Sequence, residues 1–205
     1  MQKIIHTVGN MVDIPTEKDI SRHRSKDHIV FVGKMSYEPN IVAVIYFVNK
    51  IFTKLVEVYP ALKFTIVGAN PDERVKRLGG THGVIITGFV DSIIPYFQDA
   101  TIVVAPMLTG AGIQNKIIQA MSYGCCVATT STGAEGLTVS NNEIAIYNTE
   151  DEWIFGITDL LAYAEKRQMM GMRARAYVVK NLSKDVISKQ FWQFIELNNK
   201  CQKMT

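Results

Sequence analysis

The sequence predicts an α/β fold with one parallel sheet flanked by helices. Three observations lead there. Short apolar runs rich in β-branched residues recur along the chain. They alternate with longer stretches in which apolar residues repeat at three and four. Glycine or proline punctuates the turns between them. Such alternation makes βαβ units and puts the strand-ending loops at one edge of the sheet, where open α/β sheets seat their ligands. With 205 residues and 47% hydrophobic content, the chain can fill the core of one domain.

Taken in order, residues 1–27 are polar, charged and weakly periodic, and read as an interdomain linker or arm. The first strand spans 28–33 through Ile29-Val30-Phe31-Val32, and Gly33-Lys34 turns away from it. Pro39 suits a first helical turn, where its missing N–H would have no partner anyway, so a helix is expected from Asn40 to Tyr59. Lys63 to Val67 forms the second strand, and Gly68-Ala69-Asn70-Pro71 leads into a short helix over 72–78. Val84 to Thr87 forms the third, followed by Gly88-Phe89-Val90, with Asp91 expected to cap a helix over 92–97. Ile102 to Ala105, ended by Pro106, is the fourth strand. Beyond the Gly110-Ala111-Gly112 turn a helix is expected over 113–123, closed by Gly124. Cys125 to Thr129 and Glu143 to Tyr147 are the last strands. Helices follow over 150–166, 168–180 and 184–199, the last with Ser183 as its cap. Residues 28–182 thus make the domain, and 183–205 a C-terminal helix and tail.

The chemistry concentrates in Thr101 to Leu137. A glycine turn in front of a helix leaves backbone N–H groups unpaired at the positive end of the helix dipole, which suits a phosphate. Lys116 lies one turn into that helix and can reach the same anion.

The run Gly110, Gly112, Lys116, then Ala120-Met121-Ser122-Tyr123-Gly124-Cys125-Cys126-Val127-Ala128-Thr129 and Gly133-Ala134-Glu135-Gly136-Leu137 resembles the second domain of retaining glycosyltransferases of the GT-B type. These enzymes face two Rossmann-like domains across a cleft, and the likeness is strongest to glycosyltransferase family 4, the glycosyl transferases group 1. The resemblance implies the C-terminal, donor-binding half of such an enzyme. Its substrates would be a nucleoside diphosphate sugar such as a UDP- or GDP-sugar and a glycan or lipid-linked acceptor. No cofactor and no metal are implied. Asn10-Met11-Val12-Asp13 resembles the turn that enters this second domain. The expectation is therefore of a fragment, a truncated frame or one subunit of a split enzyme, inactive without an N-terminal domain.

By the same resemblance Lys34, after Gly33, and Lys116 are expected to clamp the donor diphosphate. With Glu135 they form the expected catalytic set. Phe89 and Val90 are expected beside the nucleotide base, and Gly110, Ala111, Gly112, Ile113, Gln114 and Gln119 along the donor. The residues themselves leave alternatives open. Phe89 also reads as an ordinary buried strand end, and Glu135 as a helix-start carboxylate. Two departures weaken donor binding in this reading. Members typically carry two glutamates eight positions apart where this chain has Ala111 and Gln119, and the related subgroup often has a basic residue at Gln114. A non-catalytic interaction or regulatory domain is the rival reading.

Charge and cysteine content narrow the classes. Residues 1–164 hold 13 basic and 16 acidic side chains, whereas 165–205 hold 9 and 3. That basic tail reads either as a solvated helix face or as attraction to anionic lipid, and thus peripheral membrane association. Cys125, Cys126 and Cys201 have no metal spacing, and the adjacent pair reads as small core residues of a cytoplasmic protein, which a lipid-linked acceptor, by the resemblance, would bring to the inner face of the membrane. His6, His23, His28 and His82 are scattered, and no metal site is expected. The first strand lacks the glycine fingerprint of dinucleotide oxidoreductases. Basic residues do not interleave with aromatics as a nucleic-acid surface would require. By the resemblance the closing helix crosses back to brace the first domain; without that domain Phe191, Trp192 and Ile195 are expected to expose an apolar face, a site for a partner chain or for aggregation.

Overall fold

The computed structural model describes residues 9–20, 24–110 and 112–202, the last six of these without their side chains. Six parallel strands form one sheet in the order β3-β2-β1-β4-β5-β6. They are β1 His28–Val32, β2 Lys63–Val67, β3 Val84–Gly88, β4 Ile102–Ala105, β5 Val127–Thr129 and β6 Ala145–Ile146. The four central strands are apolar on consecutive residues, not alternate ones, because helices cover both sheet faces. The α/β Rossmann-like expectation holds.

The helices are α1 Glu38–Phe47, α2 Thr53–Val58, α3 Glu73–Lys76, α4 Ile94–Asp99, α5 Asn115–Ser122, α6 Glu150–Ala162, α7 Ala164–Leu182 and α8 Lys184–Gln202. A π-helical turn, Val48–Phe52, joins α1 to α2, so the long first helix is continuous but wider at its middle. Phe47, Phe64 and Trp153 meet where α1, β2 and α6 pack, with ring centroids 4.8 and 5.6 Å apart. Cys125 and Cys126 are core residues whose burial raises their thiols to about 11 and about 12. Cys126 lies against Met170 of α7.

Local chemistry corrects several boundaries. Asp91 does not cap α4, which starts at Ile94; the Ser92 hydroxyl accepts from the Ile94 N–H instead. The helix expected from Ile113 starts two residues later, since Gly112 is left-handed at φ 73° and Gln114 is extended. Asp72 does cap α3, and Thr149 with Glu152 builds a capping box at α6.

At the amino edge of the sheet, His28 joins three elements. Its Nδ1 lies 2.6 Å from Asp99 Oδ2 at the end of α4, and its Nε2 lies 2.8 Å from Thr65 Oγ1 on β2. The Ser25 hydroxyl donates to the other Asp99 oxygen at 2.6 Å. Burial raises the Asp99 carboxyl, but these hydrogen bonds outweigh it and hold the pKa below the ordinary value. Close by, arginines close three helix ends: Arg24 reaches Phe97 O and Tyr123 O, Arg175 reaches Ser122 O, and Arg167 reaches Leu161 O. No helix of the described residues is long and apolar enough to cross a membrane.

In the stretch read as an arm, the described residues 9–20 and 24–27 contact the domain. Val12 donates its N–H to Leu182 O and bridges to Ser183, and Val12 and Ile14 pack on the core. Ser183 is extended, and its carbonyl accepts the N–H of Ile187 as α8 begins.

Candidate functional site

From β1 the chain steps outward to β2 and β3, then returns to place β4 on the opposite side of β1. The loops after β1 and β4 therefore diverge and leave a crevice at the carboxyl rim. Gly33-Lys34 follows β1, and Gly110 to Gln114 follows β4. Gly68 lets the rim close up, because a Cβ there would lie 1.7 Å from Gly33 O.

Lys116 sits in the first turn of α5, and its side chain lies beneath this rim. Its Nζ donates to Asn40 Oδ1, lies 3.4 Å from Met107 Sδ and stands 4.7 Å from the centre of the Phe31 ring. Among the described residues no carboxylate forms an ion pair with it. Burial pulls its pKa from 10.5 to about 8. An ammonium held this way gains most from an incoming anion, whose charge restores what desolvation removed.

Lys34 is exposed on the turn after β1, and its carbonyl accepts from Asn40 Nδ2 at 3.0 Å. Asn40 thus touches both lysine-bearing elements, although it is 4% exposed. Sequence reasoning used Pro39-Asn40 only as a helix start. The available signal was a polar residue where α1 otherwise turns apolar residues to the core.

The glycine loop differs from expectation in one respect. The Gly112 N–H points to Glu135, donating to Oε2 at 3.3 Å, so a carboxylate of the chain already meets part of the amide surface expected for a phosphate. Glu135 lies exposed in the 131–136 turn, which rules out a helix-start role. Gln114 is the N-cap residue of α5 but makes no cap; its Nε2 folds back to Gly112 O at 3.3 Å. Ile113 packs partly on the core, and Gln119 is half-buried in α5. Gly110 is also left-handed, at φ 127°. Ala111 lies outside the described residues.

Phe89 is not a buried strand end. It is 75% exposed just beyond β3, whereas Val90 packs on the core. Three strand spacings separate β3 from β4, about 14 Å. Lys34, Lys116, Glu135 and the glycine loop share one rim; Phe89 stands apart along the same edge.

A family model, glycosyl transferases group 1, matches residues 26–163. The chain belongs to this family. Its curated relatives include an uncharacterized 44.6 kDa protein in the cps region of Klebsiella pneumoniae, 25% identical over 73% of this chain and 40% of that protein. An uncharacterized glycosyltransferase of Methanocaldococcus jannaschii is 29% identical over 82% of this chain and 42% of that protein. The chain thus spans less than half the length of these relatives. Among solved structures, S. aureus TarM in complex with fondaparinux, alpha-GlcNAc-glycerol and UDP superposes with a TM-score of 0.76 at 17% identity. The overlap covers 94% of this chain and 39% of TarM. Anabaena HepE with UDP gives 0.74 at 15% identity, over 91% and 56%. The C-terminal domain of a group 1 glycosyl transferase from Francisella tularensis gives 0.65 at 18%, over 84% of this chain and 99% of that domain. The family and the GT-B domain fold stated as a resemblance from the sequence are both established by these matches.

Proposed function

We propose that this group 1 glycosyltransferase domain binds the nucleoside diphosphate sugar from which the sugar is transferred. The observation that carries the reading is Lys116, a desolvated ammonium at the switch point between β1 and β4 with no carboxylate partner among the described residues. As the sugar bond breaks, the diphosphate takes up negative charge. Lys116 from below and Lys34 from the facing turn would stabilise it, with the amides of the glycine loop and α5 start. Glu135 would give up Gly112 N–H to the donor and meet the sugar or acceptor, while Phe89 would stack on the base. TarM and HepE have been solved with UDP, which supports a UDP-sugar as the first donor to test. The acceptor, a glycan or lipid-linked chain, would be held largely by an N-terminal domain.

The test is calorimetry with UDP-, GDP- and ADP-sugars on the wild-type chain and Lys116→Gln. Binding of at least one sugar nucleotide, weakened tenfold or more in the variant, is expected; no heat at millimolar concentration with any of them refutes the reading. One observation favours the rival, a non-catalytic domain: the Glu135 carboxylate already accepts Gly112 N–H, and Gln119 stands where the family places a carboxylate. Failure of transfer in a mixture with a matching N-terminal domain, despite donor binding, would select it.

A further inference from the structure

We propose that Asn40 is a positioning residue that fixes the Lys116 ammonium under the turn after β1 and sets how much of it is charged, and this rests on the donor-binding reading above. Asn40 is almost fully buried, yet both ends of its amide are engaged. Nδ2 donates to Lys34 O at 3.0 Å, and Oδ1 accepts from Lys116 Nζ. One side chain therefore ties the loop carrying Lys34 to the helix carrying Lys116, across the crevice between β1 and β4. The fit is close. A Cβ on Gly33 would lie 2.7 Å from Asn40 Nδ2 and 3.2 Å from Phe31, so only glycine leaves the amide room to lie across the turn.

The amide fits this task because it is neutral. Among the described residues the Lys116 ammonium contacts the Phe31 ring, the Met107 sulfur and the Asn40 oxygen, none of them charged. The carboxylates of adjoining elements are otherwise occupied: Glu38 of α1 pairs with Arg74 at 2.7 Å, and Glu135 accepts from Gly112. Lys34 is the other nearby cation. A carboxylate at position 40 would neutralise Lys116 within the chain and compete with the anion; an apolar residue would leave the ammonium without an acceptor. Asn keeps the cation oriented and still in need of a counter-charge.

The test measures Lys116 itself, without nucleotide, by NMR titration of its ε-carbon after isotopic labelling, in wild type, Asn40→Asp and Asn40→Leu. Asn40→Asp should raise the Lys116 pKa by about 1 to 3, the effect of an opposite charge at contact. Asn40→Leu should lower it. UDP-glucose calorimetry across pH should then show at least tenfold weaker binding at pH 8 for both. In Asn40→Leu the alkaline fall moves to lower pH; in Asn40→Asp binding is weak at every pH. An unchanged Lys116 titration in folded Asn40→Asp overturns the proposal, whatever binds. Should Asn40→Leu fail to fold, the Asn40→Asp titration decides alone. Shifted titrations with no nucleotide binding in any form would instead refute the donor reading and leave the Asn40–Lys116 coupling standing.

Discussion

Sugar-nucleotide binding should be accompanied by proton uptake at Lys116, in an amount that follows from its burial. Lys116 falls from 10.5 to about 8 because its ammonium is desolvated. At pH 7 about nine in ten free molecules carry the charge, at pH 8 about half and at pH 9 about one in ten. The diphosphate selects the charged form and raises the pKa, so binding takes up about 0.1 proton at pH 7, about 0.5 at pH 8 and about 0.9 at pH 9. Affinity therefore falls about tenfold between pH 7 and pH 9. The assay is titration with UDP-glucose in two buffers of different ionisation enthalpy, with Lys116→Gln as the comparator that shares any titration of the base. A wild-type enthalpy independent of buffer at pH 8, or an affinity profile parallel to that of Lys116→Gln, would refute the reasoning.

The same shift has a signature without ligand. Between pH 8 and 10.5 the unfolded chain holds the Lys116 proton while the folded chain has released it, so this residue's contribution to stability rises with pH by about 3 kcal/mol in total. Urea unfolding of wild type relative to Lys116→Gln across that range measures it. Asp99 has the same sign in the acid range: its depressed pKa stabilises the fold above the ordinary carboxylate range, and the benefit is lost as pH falls through the folded value. Asp99→Asn should cost about 1 kcal/mol at neutral pH and little in strong acid, by the same measurement. Phe89→Ala should leave the melting temperature unchanged, since the ring is exposed, yet weaken UDP-glucose by about tenfold if the base stacks there. Thr149→Ala removes one half of the α6 capping box and should cost about 1 kcal/mol in thermal or urea unfolding.

Strands were more legible in the sequence than helix starts, for a physical reason. A buried parallel strand must be apolar on both faces, so Ile29 to Val32 and Ile102 to Ala105 stand out without any knowledge of their neighbours. A helix start depends on the backbone angles of one or two residues. Nothing in the letters around Gly112 showed that it would turn left-handed and delay α5 to Asn115. Lys34, Lys116 and the glycine loop were legible as a cluster because topology alone sends every strand-ending loop to one edge. What escaped was the contact between clusters. Asn40 meets Lys116 across 76 positions, and Glu135 meets Gly112 across 23, contacts no local pattern encodes. Val12 and Ile14 are a further case: they look isolated among polar neighbours, and only their packing on the domain shows why they are apolar.

The bridge between Val12 and Ser183 has a mechanical consequence. Residues 10–12 and the start of α8 meet at one shared pivot, with Asn10 donating a hydrogen bond of 2.9 Å to Asn115 at the head of α5. A torque on either strand of that pivot would bear on the helix that carries Lys116. Residues 10–12 thereby couple the start of α8 to the head of α5 through two surface contacts.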